Sequence, residues 1–111
     1  SLFIDALSDL FQGKKALFEG LWVYNHWDWD THYPIINISL NSGRFSTQEG
    51  IESRIFDIID YTKELHGVEC KKDWDIPSCF TELIANIYKK YQQKVVILID
   101  EYDKPILDNI N

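Results

Sequence analysis

The segment Lys94-Val-Val-Ile-Leu-Ile-Asp-Glu-Tyr-Asp-Lys-Pro105 restricts the fold more than any other, because five consecutive apolar residues, Val95 to Ile99, run directly into Asp100 and Glu101. On a strand, Val95, Ile97 and Ile99 share one face and Val96 and Leu98 the other. Both faces are then apolar, the pattern of a strand in a parallel sheet covered by helices. Such sheets carry function at the C-terminal ends of their strands. The first charges of this segment fall at that edge. An aspartate there holds Mg²⁺ directly or through water, and the next carboxylate polarises a water beside a γ-phosphate. A plain core strand ending in a solvated acidic turn produces the same local pattern, so the segment needs its context.

With 111 residues the chain has room for one small domain or a piece of a larger one. Apolar residues make up 45% and aromatics 14%, which excludes a disordered chain. The 18 acidic against 11 basic residues give a net charge of −7, which argues against direct contact of this segment with a nucleic-acid backbone. No apolar run approaches the ~20 residues of a membrane span, and no cationic leader with a cleavage site is present. Cys70 and Cys79 match neither a CxxC pair nor a dense disulfide framework, so two reduced thiols and a cytoplasmic location are expected, with a single disulfide left open. The chain has no Met and opens on Ser1 within a helical pattern, so a segment of a longer polypeptide is expected.

Leu2, Phe3, Ala6, Leu7, Leu10 and Phe11 recur at helical spacing, which predicts a helix near residues 2–12 stopped by Gly13. Residues 14–34 crowd Trp22, Trp27 and Trp29 into an irregular or hairpin insert anchored by its aromatics. Ile35-Ile-Asn-Ile-Ser-Leu40 reads as a strand followed by the turn residues Asn41-Ser42-Gly43. Ser46-Thr-Gln-Glu49 has capping-box spacing and opens a helix near 47–65, on which Ile51, Ile55, Ile58, Ile59 and Leu65 share a face. Gly67 ends it. Pro77 begins a further amphipathic helix near 78–92, carrying Phe80, Leu83, Ile84, Ile87, Tyr88 and Tyr91. The strand near 95–99 follows, and Lys104 to Ile110 begins another helix. The order reads as α/β with parallel strands joined by helical crossovers. Two strands make a poor sheet, so flanking strands are expected outside this segment, which alone would expose apolar surface.

Three stretches together resemble the predicted AAA-ATPase-like family of P-loop proteins. These are Ser-Leu-Phe-Ile-Asp-Ala-Leu-Ser-Asp-Leu-Phe at the start, Trp-Asp-Trp-Asp before Tyr-Pro-Ile-Ile-Asn-Ile-Ser, and Leu-Ile-Asp-Glu-Tyr-Asp-Lys-Pro-Ile-Leu-Asp at the end. The resemblance spans essentially the whole chain, 1–111, and implies a partial P-loop NTPase domain of three-layer α/β sandwich type. The phosphate-loop strand and the later strands are missing from it. It also implies ATP and Mg²⁺ as cofactors of the full-length protein. Ser1 then corresponds to the hydroxyl residue that ends the phosphate loop and contacts Mg²⁺, Asp100 to the Walker B aspartate, and Glu101 to the water-activating glutamate. Asp103 supports the site or caps the helix near Pro105, and Tyr102 packs. The loop glycines and lysine that cradle phosphates are absent from these residues, so the segment by itself is not expected to hydrolyse ATP. Family members often carry a nuclease-like domain of the PD-(D/E)xK type, which the resemblance suggests as an attached partner. An oligomer is left open.

Other candidates weigh less. His26-Trp-Asp28-Trp-Asp30-Thr-His32 alternates possible metal ligands, yet it has no EF-hand glycine and distal glutamate and no nearby cysteine pair; an aromatic-anchored surface segment is expected instead. Asn37-Ile-Ser39 is a glycosylation sequon inside an expected core strand, a chance match. Arg44 reads as a solvated loop arginine rather than a phosphate ligand. A nuclease site is excluded by spacing, because two residues separate Glu101 from Lys104. The alternative to a nucleotide-binding domain is a non-enzymatic protein-interaction module in which the Trp-rich insert packs on a partner and Asp100 and Glu101 are relics.

Overall fold

The computed structural model describes residues 2–39 and 48–100, and the capping-box residue Ser46, Leu40 and the expected helix after Lys104 lie outside them. Within the described residues the order is α1 (Leu2–Phe11), two short 3₁₀ turns (Lys15–Phe18 and Trp22–Asn25), β1 (Ile35–Ser39), α2 (Gln48–His66), α3 (Ile76–Tyr91) and β2 (Val96–Asp100). This is the α/β arrangement expected from the sequence. Element ends differ from the sequence reading by one or two residues, the usual uncertainty of frayed ends.

β1 and β2 pair in parallel, with Ile35 opposite Val96, Ile36 opposite Ile97, Asn37 opposite Leu98, Ile38 opposite Ile99 and Ser39 opposite Asp100. Residues opposite one another point to the same face. Ile36 lies in the core cluster with Ile59 of α2, Val68, and Cys79, Leu83 and Ile87 of α3, so α2 and α3 form the layer on that face. Ile35 and Leu98 are buried on the other face, where α1 contacts both strands. The result is a helix, a two-stranded sheet and a helix pair in three layers.

The sequence reading expected both faces of β2 to be covered in a complete sheet and apolar surface to be exposed in this segment alone; among the described residues one face is covered. Leu98 is buried, while Ile97 is 39% and Ile99 56% exposed. The reason is lateral. The α2–α3 layer is centred over Ile36 and reaches only as far as Val95, at the start of the second strand.

The outer edge of β1 is closed by side chains. Val96 N–H donates to the Pro34 carbonyl at 3.0 Å, and the alternation of a parallel ladder then directs the carbonyls of Ile35, Asn37 and Ser39 away from β2. Two of those three are taken by α2. His66 Nε2–H donates to Ile35 O at 2.8 Å, and Arg54 Nε–H donates to Ser39 O at 2.8 Å. The buried His66 therefore carries its proton on Nε2, leaving Nδ1 to accept the Tyr91 hydroxyl at 3.1 Å. Lys90 Nζ donates to the His66 backbone carbonyl, capping the end of α2. Gly67, at φ +64°, ends the helix as the sequence suggested.

Beyond Gly67 the chain doubles back as an extended strap against α3. Asn86 Nδ2 donates to Glu69 O at 2.8 Å, and Lys71 N–H donates to Glu82 Oε2 at 2.9 Å. Between these contacts Cys70 and Cys79 are joined in a disulfide, with Cα atoms 5.1 Å apart. This corrects the expectation of two reduced thiols. Sequence spacing was uninformative because the strap, not a local turn, brings the sulfurs together.

Two outcomes check this packing. Leu83, fully buried, should cost about 2–5 kcal/mol in urea denaturation when changed to Ala. Peptide mapping without reductant should recover Cys70 and Cys79 in one bridged species. Reduction should lower stability by about 2–3 kcal/mol, the loop-entropy value for so short a closed loop.

Candidate functional site

Asp100 is the last residue of β2, half-buried at the C-terminal edge of the sheet, and it stands opposite Ser39 at the matching end of β1. Its placement follows from the Val95–Ile99 run, which carries the chain across the sheet before the first charge. Ser1, Glu101 and Asp103 lie outside the described residues, as do Tyr102 and Arg44. Of the sequence-derived site residues, the structure places Asp100, at the C-terminal end of β2.

That edge has a cation the sequence reading did not single out. Arg54 reaches from α2 to the Ser39 carbonyl and stands beside the residue paired with Asp100. In the sequence it sits among Glu49, Glu52, Asp57 and Asp60, where an arginine reads as an i, i+3 or i, i+4 partner on a solvated face. Only the fold reveals that it turns inward; the signal available beforehand was its place one turn before Ile58, on the edge of the apolar stripe.

The Trp-rich insert is held by local contacts. Tyr33 N–H donates to Phe11 O at 2.9 Å, and the Phe11 ring meets Trp27 and Tyr33 edge-on at 5.5 and 5.7 Å. Trp29 packs against Phe18 and donates from Nε1 to Tyr24 O at 2.8 Å. Gly13 is required where α1 meets the insert, because its φ is +77° and an added Cβ would lie 2.3 Å from the His32 ring. Trp27 and Trp29 are therefore packing anchors and not a free docking surface. Trp22, 75% exposed, instead stacks on His26 at 3.8 Å.

The alternating His and Asp side chains of this insert are engaged locally. His26 Nδ1–H donates to Trp22 O at 2.6 Å, and His32 Nε2–H donates to Trp29 O at 3.0 Å. Asp28 accepts the Thr31 hydroxyl at 2.6 Å and the Asp30 N–H at 3.1 Å, an Asx turn. The Thr31 hydroxyl, followed by the Asp30 amide, holds the Asp28 carboxyl below its ordinary range. Among the described residues no three His, Cys, Asp or Glu side chains converge as a metal site.

A cavity of about 420 Å³ lies at the opposite edge of the sheet, lined by His32, Tyr33, Ile35, Tyr61, His66 and Tyr91. It opens beside the first residue of β1 and is separated from Asp100 by the length of the strands. Chemistry in parallel sheets gathers at the other edge, so this cavity is not the nucleotide-side candidate.

The family model for predicted AAA-ATPases of the AAA-ATPase-like type matches residues 1–111. The chain belongs to that family, whose predicted activity is consistent with nucleotide binding. It is also 37% identical over 110 residues to an uncharacterized protein in the vnfD 5′ region of Azotobacter chroococcum mcd 1, a match covering 99% of this chain and 21% of that protein. The chain thus spans about a fifth of that relative's length. No solved structure matches with significance. Among the described residues no helix is long and apolar enough to cross a membrane.

The Asx turn gives a direct check. Thr31→Ala should raise the Asp28 pKa toward the ordinary carboxylate value, read by NMR titration of its side-chain carboxyl. Because the folded value is depressed, the favourable contribution is present above the unfolded pKa and is lost as pH falls through the folded one. The variant should narrow that window.

Proposed function

We propose that residues 1–111 supply the Walker B half of an ATP site in an intact P-loop ATPase. The observation that carries this reading is the position of Asp100, at the C-terminal end of a parallel strand in a chain matched over its whole length by a predicted AAA-ATPase family. In this reading the domain is a P-loop sandwich whose sheet is completed by strands beyond these residues.

A half-buried carboxylate at a strand end is a hard oxygen donor suited to Mg²⁺. Asp100 would hold the ion or its water, together with the Ser1 hydroxyl. When bound, Mg²⁺ neutralises charge on the β- and γ-phosphates. Glu101 orients the attacking water and takes its proton. Asp103 would steady this edge or serve as a helix cap. Residues 1–111 contain no G-x-x-x-x-G-K-[ST] sequence, so on their own they bind phosphate poorly and do not turn over ATP. Hydrolysis in the intact protein would drive a change in conformation.

Glu101→Gln in the intact protein should keep ATP binding, measured with a fluorescent ATP analogue, while turnover falls by about 10²–10⁴. Undiminished turnover would remove Glu101 from the water-activating role. Absence of nucleotide binding by the intact wild-type protein would instead favour the interaction-module alternative.

A further inference from the structure

Arg54 and His66 both reach from α2 to the outer edge of β1, but they act at opposite ends. His66 takes the first outward carbonyl of the strand, Ile35 O, beside the cavity at the N-terminal edge. Arg54 takes the last, Ser39 O, at the edge that carries Asp100. Ser39 gives its carbonyl to Arg54 and stands opposite Asp100 in register, while the adjoining Ile38 carbonyl faces β2. A displacement of the Ser39 backbone is therefore passed to Asp100 one strand spacing away, about 4.8 Å.

The choice of residue is informative. A guanidinium is permanently charged, and a charge-assisted bond to a carbonyl is shorter and stronger than a neutral one. Arg54 is half-buried and spends that bond on a strand end, although a solvated partner on its own helix, Glu52 or Asp57, is close in sequence. The bond is made through Nε, so the planar group is fixed by its inner nitrogen.

We propose that Arg54 is a positioning residue for the Mg²⁺-holding carboxylate, clamping the C-terminal end of β1 so that Asp100 meets the ion in one geometry. This rests on the proposed nucleotide site. Arg54 does not touch the reacting atoms; it acts through Ser39 and the strand pair. Groups that support a metal ligand in this way typically change metal affinity by about 10–100-fold when removed. The same range is expected here.

The test uses the intact protein and reads the Mg²⁺ concentration that half-saturates binding of a fluorescent ATP analogue, with ATP turnover as a second readout. Arg54→Ala should raise the half-saturating Mg²⁺ about tenfold or more, and Arg54→Lys, which keeps a cationic donor, should recover part of that loss. His66→Ala removes the equivalent bond at the far end of the strand. It should lower the melting temperature without moving the Mg²⁺ requirement. If His66→Ala shifts the Mg²⁺ requirement as much as Arg54→Ala, the effect is general loosening of β1 and the positioning role is overturned. It is equally overturned if neither Arg54 variant shifts it while Asp100→Asn does, an outcome that leaves the nucleotide site standing. If Asp100→Asn also leaves the Mg²⁺ requirement unchanged, the nucleotide-site reading itself falls, and the positioning role with it.

Discussion

The free edge of β1 is the constraint on which this arrangement depends. A strand with one parallel neighbour leaves every second carbonyl facing outward, and a buried one without a donor costs about 1–3 kcal/mol. Here α2 supplies donors from two side chains roughly three turns apart, Arg54 and His66. Helix and strand are consequently locked in relative rotation as well as distance. That lock sets the face of α2 that meets Ile36 and orients α3 through Lys90 and Tyr91. It also occupies two of the outward carbonyls of this edge, which disfavours strand addition there.

Hydrophobic burial supplies most of the energy, yet it does not by itself choose this geometry. Leu83, Ile87 and Ile36 are nearly or fully withdrawn from water, each contributing about 1.5–3 kcal/mol. Apolar side chains tolerate sliding by a turn, whereas a carbonyl-to-guanidinium bond does not. Burial and the two polar clasps thus divide the work: the first holds the layers together and the second fixes their register. The exposed Ile97 and Ile99 mark where the first of these stops.

Helices and strands were legible because their signals are local. The spacing of Phe80, Leu83, Ile84 and Ile87 prescribes α3, and the unbroken Val95–Ile99 run prescribes β2 with its acidic end. The pairing of the two strands followed from topology. The inward turn of Arg54, the structural use of His66 and the Cys70–Cys79 bond were not legible, since each joins residues brought together by the crossover rather than by spacing. Of the site itself, Asp100 could be placed from the pattern alone, while Ser1, Glu101 and Asp103 were assigned through resemblance and lie outside the described residues. The Trp-rich insert was legible in part. Its aromatic crowding suggested packing anchors, with a partner surface as the alternative, and Phe11 and Phe18 do pack on Trp27 and Trp29.

The strap along α3 makes Cys70 and Cys79 interdependent as positions. Cys79 is nearly inaccessible in the core, and its sulfur makes the covalent link between the helix and a strap also held by Val68 packing and two polar contacts. Replacing either cysteine alone leaves a solitary thiol with no bonding partner, whereas a joint exchange for a small apolar pair restores a closed surface. Substitution at these two sites should therefore be tolerated as a double step and resisted as a single one, so that they vary as one character.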